Sequence, residues 1–378
     1  ELQQMAIAAG WDLVVVDEAH HLHWSEQGAG GDYLFVEALS ACSAGMLLLT
    51  ATPEQIGQAS HFARLRLLDP SRFHDLEIFK QEEHQYRALS AMADSLERGE
   101  IPADLPQDLD PDEKPAQLIE QLLDRHGTGR VLFRNTRAAV EGFPTRILHR
   151  YPLPQPEPYA LAQLDLEERL HPELPYVDDS WLDFDPRVEW LEKTLKQLRP
   201  AKALVICAHA ATAVALEHHL HMRAGIRSAA FYEGLSIIER DRAAAYFADE
   251  TSGAQTLVCS EIGSEGRNFQ FAHHLILFDL PLNPDLLEQR IGRLDRIGQQ
   301  QDVQIHVPYL QDSAQETLLD WYDRGLDLFR DSCSAGYMIF QNFRDRLLPQ
   351  LEKRTPEFEA LLTDSAEFTL RTRDELRE

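Results

Sequence analysis

Cysteine is scarce in this chain, and the few present build no framework. Cys42, Cys207, Cys259 and Cys333 stand far apart, with no C-x-x-C pair. That excludes the spacing of a structural zinc site and offers no disulfide scaffold. Cys207 and Cys259 fall inside apolar runs and are expected to be buried free thiols, as suits a reducing cytoplasm. Long hydrophobic runs are missing too. None nears the ~20 residues of a membrane-spanning helix, so no membrane is expected. The opening residues ELQQMAIAAGWD have neither a basic cluster nor a long apolar core, so no secretory signal is legible. They begin without Met and in mid-pattern, and the chain is expected to be a piece of something longer. Basic residues are outnumbered, 36 Lys and Arg against 63 Asp and Glu, for a net charge of -27. Such a chain is poorly suited to coating nucleic acid; it leaves room for a local basic groove and favours partners with basic surfaces. The phosphate-cradling loop G-x-x-x-x-G-K-[ST] occurs nowhere in the 378 residues.

Two α/β rhythms are present. WDLVVVDEAH ends a β-branched run in polar residues, and its unbroken apolar character predicts a parallel strand covered on both faces. GMLLLTATP (45–53) repeats the design, and YLFVEALSAC between them is long enough for one helix, so a β-α-β unit is expected. From about 70 to 124 the pattern is mostly helical and acidic, interrupted by GEIPADLPQDLDPDEKP (99–115), which reads as a solvated loop or linker. YPLPQPEPY (151–159) is too rich in proline to be helical throughout. The second rhythm opens with the amphipathic helix FDPRVEWLEKTLKQL. It continues through strand ALVICAHA, helix ATAVALEHHLHM, strand SAAFYEG, helix SIIERDRAAAYFA and strands TLVCS and HLILFDLP. That makes four candidate parallel strands in a second sheet. After QIHVPYL (304–310) the pattern is helical into a charged tail.

Several constellations could carry chemistry. Asp17-Glu18 stands where a strand ends, and ligands of open α/β sheets bind beyond the carboxyl ends of the strands. One carboxylate there can hold Mg²⁺ through its water shell, and its neighbour can orient and deprotonate a water. A plain polar strand exit is the alternative. His20, His21 and His23 form H-H-x-H, which lacks the spacing of a zinc helix; His20 is expected to tie the acidic pair to nearby backbone. Thr50 and Thr52 follow the next strand and could face the same crevice. In NPDLLEQRIGRLDRIGQ (283–299), Asn283 suits an N-cap and Pro284 a first helical residue. At about 100° per residue, Gln289, Arg293 and Arg296 share one face of a continuous helix and Leu287, Ile291 and Leu294 the other. Two arginines on one face can grip a phosphate, although a solvated basic face is the simpler alternative. Gly263, Gly266 and Asn268 make a tight inter-strand loop able to turn backbone N–H groups toward phosphates, or merely to turn.

Taken in order, DEAH, LTATP, GSEGRN and QRIGRLDRIGQ resemble motifs II, III, V and VI of superfamily 2 helicase-like ATPases. The RIGQ ending, FYEGLSIIERDRAAAYF, and RVLFRNTR followed by GFPTR resemble the Swi/Snf branch. FARLRLLDPSRFHD, DRHGTGRVLFRNTR, FDPRVEWL, IIERDRAAAYFA and CSEIGSEGRNFQFA narrow the resemblance to the bacterial RNA polymerase-associated ATPases of that branch, over nearly the whole chain. Each motif alone is soft; four in the right order are specific. The resemblance implies an α/β fold of two RecA-like lobes with parallel sheets, the first incomplete, plus a helical C-terminal segment. It places part of lobe 1 at 1–78, an interlobe insertion and linker at 79–180, lobe 2 at 181–310 and the helical region at 311–378. It implies an ATP-driven translocase on duplex DNA that binds RNA polymerase and helps recycle it, cytoplasmic and nucleoid-associated, whose lobes close on ATP. By that resemblance Asp17 would bind Mg²⁺ and Glu18 would activate water. Arg293 and Arg296 would be arginine fingers organised by Gln289. Gly266 and Asn268 would lie near the nucleotide, and His20, Thr50 and Thr52 would couple nucleotide state to DNA.

The missing phosphate cradle departs from this family. A family P-loop would precede DEAH, where only 16 residues stand before Asp17. Most of lobe 1 is therefore expected to be absent, with the family's N-terminal polymerase-docking module, and the chain alone is expected not to turn over ATP. Two other readings stay open: a non-catalytic module that binds polymerase or DNA, and a related strand-separating DEAH-box helicase.

Overall fold

The computed structural model of the chain describes residues 2–50, 58–80, 142–161, 164–261, 269–333 and 335–375. The chain divides into two compact units, Glu1–Asn135 and Thr136–Glu378. The acidic linker at 99–115 and the GSEGRN loop lie outside the described residues.

In the first unit, helix α1 (Leu2–Ala8) leads into β1 (Leu13–Val16), and a small antiparallel hairpin of β2 (Trp24–Ser25) and β3 (Gly28–Ala29) follows. Helix α2 (Gly31–Cys42) carries the chain to β4 (Gly45–Leu48), and α3 (Gln58–Leu68) comes next. β1 and β4 pair in parallel, Leu13 with Gly45 through Val16 with Leu48, so the expected β-α-β unit is present. Val16, Met46 and Leu48 pack against Tyr33, Val36, Ala63 and Leu67 from α2 and α3. The other face does not match the expectation of a strand covered on both sides: Leu13, Val15 and Leu47 are 57%, 52% and 46% exposed. The apolar run dictated the strand and its parallel pairing, but nothing among the described residues lies over that face.

The second unit is built on six parallel strands. These are β5 (Arg146–Leu153), β6 (Ala203–Ile206), β7 (Ser228–Phe231), β8 (Thr256–Cys259), β9 (His274–Leu277) and β10 (Val303–Leu310). Their order is β5-β10-β9-β6-β8-β7. Four of these strands were legible as apolar runs. The other two were not, because β5 is rich in Arg, His and Pro and β10 carries His306 and Pro308. β5 lies within the stretch that sequence alone placed between the lobes, yet it pairs with β10 along its whole length.

Period-two alternation sorts the strand residues onto two faces. Leu204, Ile206, Leu257, Cys259, Leu275 and Leu277 join one core. Ala203, Val205, Val258, Ile276 and Phe278 join the other. Short helices α4 (Glu157–Leu161) and α5 (Leu166–Leu170) precede α6 (Pro186–Leu198), which covers the second face together with α7 (Ala210–Met222). α6 starts where Asp185 caps it by accepting from the Arg187 N–H at 2.9 Å. α8 (Ile237–Ala248) starts from a capping box in which Ser236 and Glu239 satisfy each other's backbone N–H. It covers the first face with α9 (Pro284–Ile291), α10 (Ala314–Asp320), α11 (Gly336–Glu352) and α12 (Glu357–Glu375). Leu318, Trp321, Phe343, Leu347 and Leu361 of the C-terminal region share one core with the sheet. No helix among the described residues is long and apolar enough to cross a membrane.

Candidate active site

The acidic pair stands at the carboxyl end of β1. The Leu49 N–H donates to Val16 O at 2.8 Å, and the Ala19 N–H donates to Leu49 O at 2.8 Å. These two bonds lock the turn after β1 to the end of β4, with Ala19 fully buried beneath it. Asp17 and Glu18 are thereby held exposed, in the same neighbourhood as half-buried Thr50. Glu18 adopts the left-handed conformation, φ 50°, and its N–H donates to Asp17 Oδ1 at 3.0 Å. A non-glycine residue in that region marks a turn held by its surroundings. His20 belongs to the 3-10 turn Ala19–His21, but its side chain lies outside the description. Thr52, Gly266 and Asn268 lie outside the described residues.

The arginine segment lies in the second unit, after β9. Asn283 caps α9 as expected, Oδ1 accepting from the Asp285 N–H at 2.9 Å, with Pro284 first in the helix. The expected continuous helix is corrected: α9 stops at Ile291, and Gly292 begins a turn. Gln289 is therefore on the helix, Arg293 in the turn and Arg296 beyond it, and the shared helical face drawn from 100° spacing does not describe them. The apolar half of the expectation holds, since Leu287, Ile291 and Leu294 are all fully buried. Burying Leu294 and then Asp295 turns the chain inward sooner than a helix would. The Arg296 Nε donates to Gly292 O at 3.0 Å, folding its side chain back along the turn.

Two buried guanidinium groups hold this segment. Arg290 binds residues that follow two strands, β8 and β9. Its Nη1 donates to Asp279 O at 2.7 Å and Asp279 Oδ1 at 3.0 Å, its Nε to Glu261 Oε1 at 2.9 Å, and its Nη2 to Glu261 Oε2. Asp279 Oδ2 accepts from the Ala208 N–H at 2.9 Å. Burial pushes the Asp279 carboxyl up; Arg290, His171 and that N–H more than offset it and hold it well below the usual range. Arg146, at the start of β5, binds Glu288 Oε1 at 2.9 Å and Oε2 at 3.0 Å and Asp295 Oδ2 at 2.6 Å. Burial alone would lower its pKa, but Glu288 and Asp295 outweigh burial and raise it.

A neighbouring network is centred on Arg187, whose Nη2 donates to Glu173 Oε2 at 2.8 Å and Asp185 Oδ2 at 2.6 Å. His171, Glu173 and Asp279 are the one group among the described residues close enough together to hold a metal ion. Their carboxylates already pair with Arg187 and Arg290. The group therefore reads as part of a charge network in which His171 supplies a further proton: burial pulls its pKa down, and Asp279 and Glu173 raise it above the usual value.

Sequence reasoning passed over Arg290, Arg187 and Arg146. The first two carried a signal. Arg290 falls three residues after Leu287 and four before Leu294, on the buried face of its helix, and Arg187 falls four before Leu191 in the same way. An arginine at a core position implies buried carboxylate partners. Arg146 carried none, because its partners come from residues 288 and 295.

The second unit matches a helicase-like domain in sequence. The helicase conserved C-terminal domain family matches residues 186–298, from the start of α6 through the arginine turn. The RNA polymerase recycling family C-terminal domain matches residues 302–378. The chain is 56% identical to the RNA polymerase-associated protein RapA of Pseudomonas putida, over 93% of this chain and 40% of that protein. It is 54% identical to RapA of Pseudomonas aeruginosa, over 93% of this chain and 40% of that protein. The chain belongs to the RapA family, and it spans about 40% of the length of the relatives it matches. Among solved structures, the Sulfolobus solfataricus SWI2/SNF2 ATPase core in complex with dsDNA aligns with 93% of this chain and 76% of its own at 17% identity. The TM-score is 0.36.

Proposed function

We propose that this chain is the part of an ATP-driven duplex-DNA translocase that carries the hydrolytic carboxylates and the arginine fingers. The protein it belongs to would bind RNA polymerase and promote its recycling. The observation that carries this reading is the exposed Asp17-Glu18 pair at the carboxyl end of a parallel strand, in one chain with a pinned turn bearing Arg293 and Arg296. Exposed, strand-end carboxylates fit Mg²⁺, which keeps several of its waters and is held through one or two carboxylates. Asp17 would hold the ion, which when bound offsets charge developing on the phosphates. Glu18 would orient the attacking water and take its proton. Arg293 and Arg296 would donate to phosphate oxygens, with Gln289 organising them; losing either should cost about a thousandfold in turnover. In this reading 1–78 belongs to the first RecA-like lobe, and the second lobe begins at β5 rather than at residue 181, because β5 completes its sheet.

The chain carries no phosphate-cradling motif, so we expect no ATP turnover from it alone. That same observation favours the second reading, a module that binds polymerase or DNA without catalysis. ATP hydrolysis should be measured for the purified chain, with and without duplex DNA, and for a version extended upstream through a P-loop. Activity only in the extended version, lost in Glu18→Gln, supports the translocase. An extended version that binds DNA or polymerase yet never hydrolyses ATP supports the module. DNA-stimulated turnover by the chain alone would show that another loop holds the phosphates.

A further inference from the structure

We propose that Arg146 is a positioning residue that couples the strand by which the chain enters its second unit to the turn carrying Arg293 and Arg296. The inference rests on the reading of those two residues as arginine fingers.

The boundary between the units falls at Asn135 and Thr136, so residues 142–146 are the first described stretch of the second unit. That stretch is bonded to the end of the arginine segment and to the start of β10. Gly142 O accepts from the Gly298 N–H at 3.3 Å. The Thr145 N–H donates to Asp302 Oδ1 at 3.3 Å, and Thr145 O accepts from the Val303 N–H at 2.8 Å. Arg146 then closes the contact from beneath. Its side chain is 2% exposed and meets three separate segments at once. These are Glu288 near the end of α9, Asp295 between the two arginines, and Leu328 O of the C-terminal region at 2.9 Å.

The guanidinium is matched to this task. Two of its nitrogens take both oxygens of Glu288, and the third takes Asp295. A planar fork with fixed donor directions sets the distance and angle between the helix end and the turn; an ammonium, a single point of charge, cannot span both carboxylates. Asp295 is one residue from Arg296 and two from Arg293, so a shift of Arg146 displaces both finger backbones. Displacements of about 1 Å at a reacting group are enough to cost about a hundredfold in rate. A shift of residues 142–146 thus reaches the fingers through the Arg146 side chain as well as through the Gly142 bond to Gly298.

The test uses Arg146→Lys and Asp295→Asn, which keep a donor or an acceptor in place where truncation to Ala would leave buried charges unpaired. Hydrogen exchange of the purified chain is followed peptide by peptide. We expect the 292–298 peptide to exchange about tenfold faster or more in both variants, with peptides from β6 and β8 unchanged. In the version extended upstream through a P-loop, Arg146→Lys should lower kcat about tenfold and leave KM for ATP within about twofold. Exchange in 292–298 that does not change, or that rises uniformly across the second unit, overturns the coupling and leaves an ordinary structural ion pair. An unchanged kcat with a loosened turn also overturns it. If the extended protein without substitutions hydrolyses no ATP, the translocase reading falls, and the exchange comparison still decides whether Arg146 holds the turn.

Discussion

Asp285 illustrates how one residue can serve a helix and still cost stability. It stands in the first turn of α9, where a negative charge suits the helix dipole, and its Oδ1 accepts from the Tyr337 N–H at 3.1 Å. Burial nevertheless raises its carboxyl to about 6, with Glu288 adding to the rise and the Tyr337 N–H opposing it. The unfolded value is 3.8, so the folded chain holds this proton more tightly. The stabilisation is complete below the unfolded value and is lost as pH rises through about 6. Asp285→Asn keeps the acceptor oxygen without the charge. It should raise the melting point at pH 8 by a few degrees, about 1–2 kcal/mol, and give no gain at pH 4. An equal gain at both pH values would place the effect outside this ionisation. The buried arginines teach a related lesson at the same scale. Arg290 was readable as a charge on an apolar helix face, but its partners Glu261 and Asp279 come from the ends of two strands, and only the fold brings them there.

At the scale of elements, the two strands that sequence missed carry the most unusual side chains in the sheet. His149 of β5 stacks on His306 of β10 at 4.9 Å. His306 Nε2 lies 3.0 Å from His274 Nδ1 of β9, and its Nδ1 lies 3.0 Å from the Tyr151 hydroxyl. One imidazole must donate and the other accept across the His306–His274 contact, so both cannot be protonated without turning donor against donor. Burial, and then the neighbouring histidines, lower His306 to about 3 and His274 to about 4. Depressed histidine values mean that the unfolded chain binds more protons. Stability is therefore full above about 6.5 and falls as pH drops toward 4, by up to about 1.4 kcal/mol per pH unit for each histidine. Denaturant melts of the second unit should show this slope between pH 7 and 5, and His306→Phe should flatten it. A slope that survives the substitution would point to the carboxylates instead. Alternation of polar, aromatic and proline residues hid β5 and β10 from an apolar-run search, yet parallel pairing on both sides places β10 inside the sheet, next to the edge strand β5.

At the scale of the whole molecule, the two units differ in how well their strands are covered. The sheet of the second unit has a packed core on each face. The two-stranded sheet of the first presents Leu13, Val15 and Leu47 to solvent, on strands of the kind that α/β proteins bury on both sides. A net charge of -27 opposes association, but an apolar patch beside a strand edge that no described strand pairs favours it. The purified chain is expected to self-associate increasingly with added salt, which screens the repulsion. Replacing Val15 and Leu47 with Thr should restore a monomer by light scattering. Salt-dependent association that persists in that variant would locate the sticky surface elsewhere.

The sequence alone determined what depends on short-range pattern. Apolar runs ending in polar residues specified β1, β4, β6, β7, β8 and β9, because strand formation and burial follow local side-chain character. Asn283 announced the start of α9, since a cap needs only the next two or three backbone N–H groups. Motif order identified the family. Tertiary structure alone decided where the α9 helix ends, because burial of Leu294 and Asp295 overrides helical continuation. It also decided that β5 completes the second sheet and that the C-terminal helices share its core. Finally, it set Arg146 beneath the arginine turn, through carboxylates about 140 to 150 residues away. Those outcomes turn on which distant groups meet, and periodicity along a chain holds no record of distance across it.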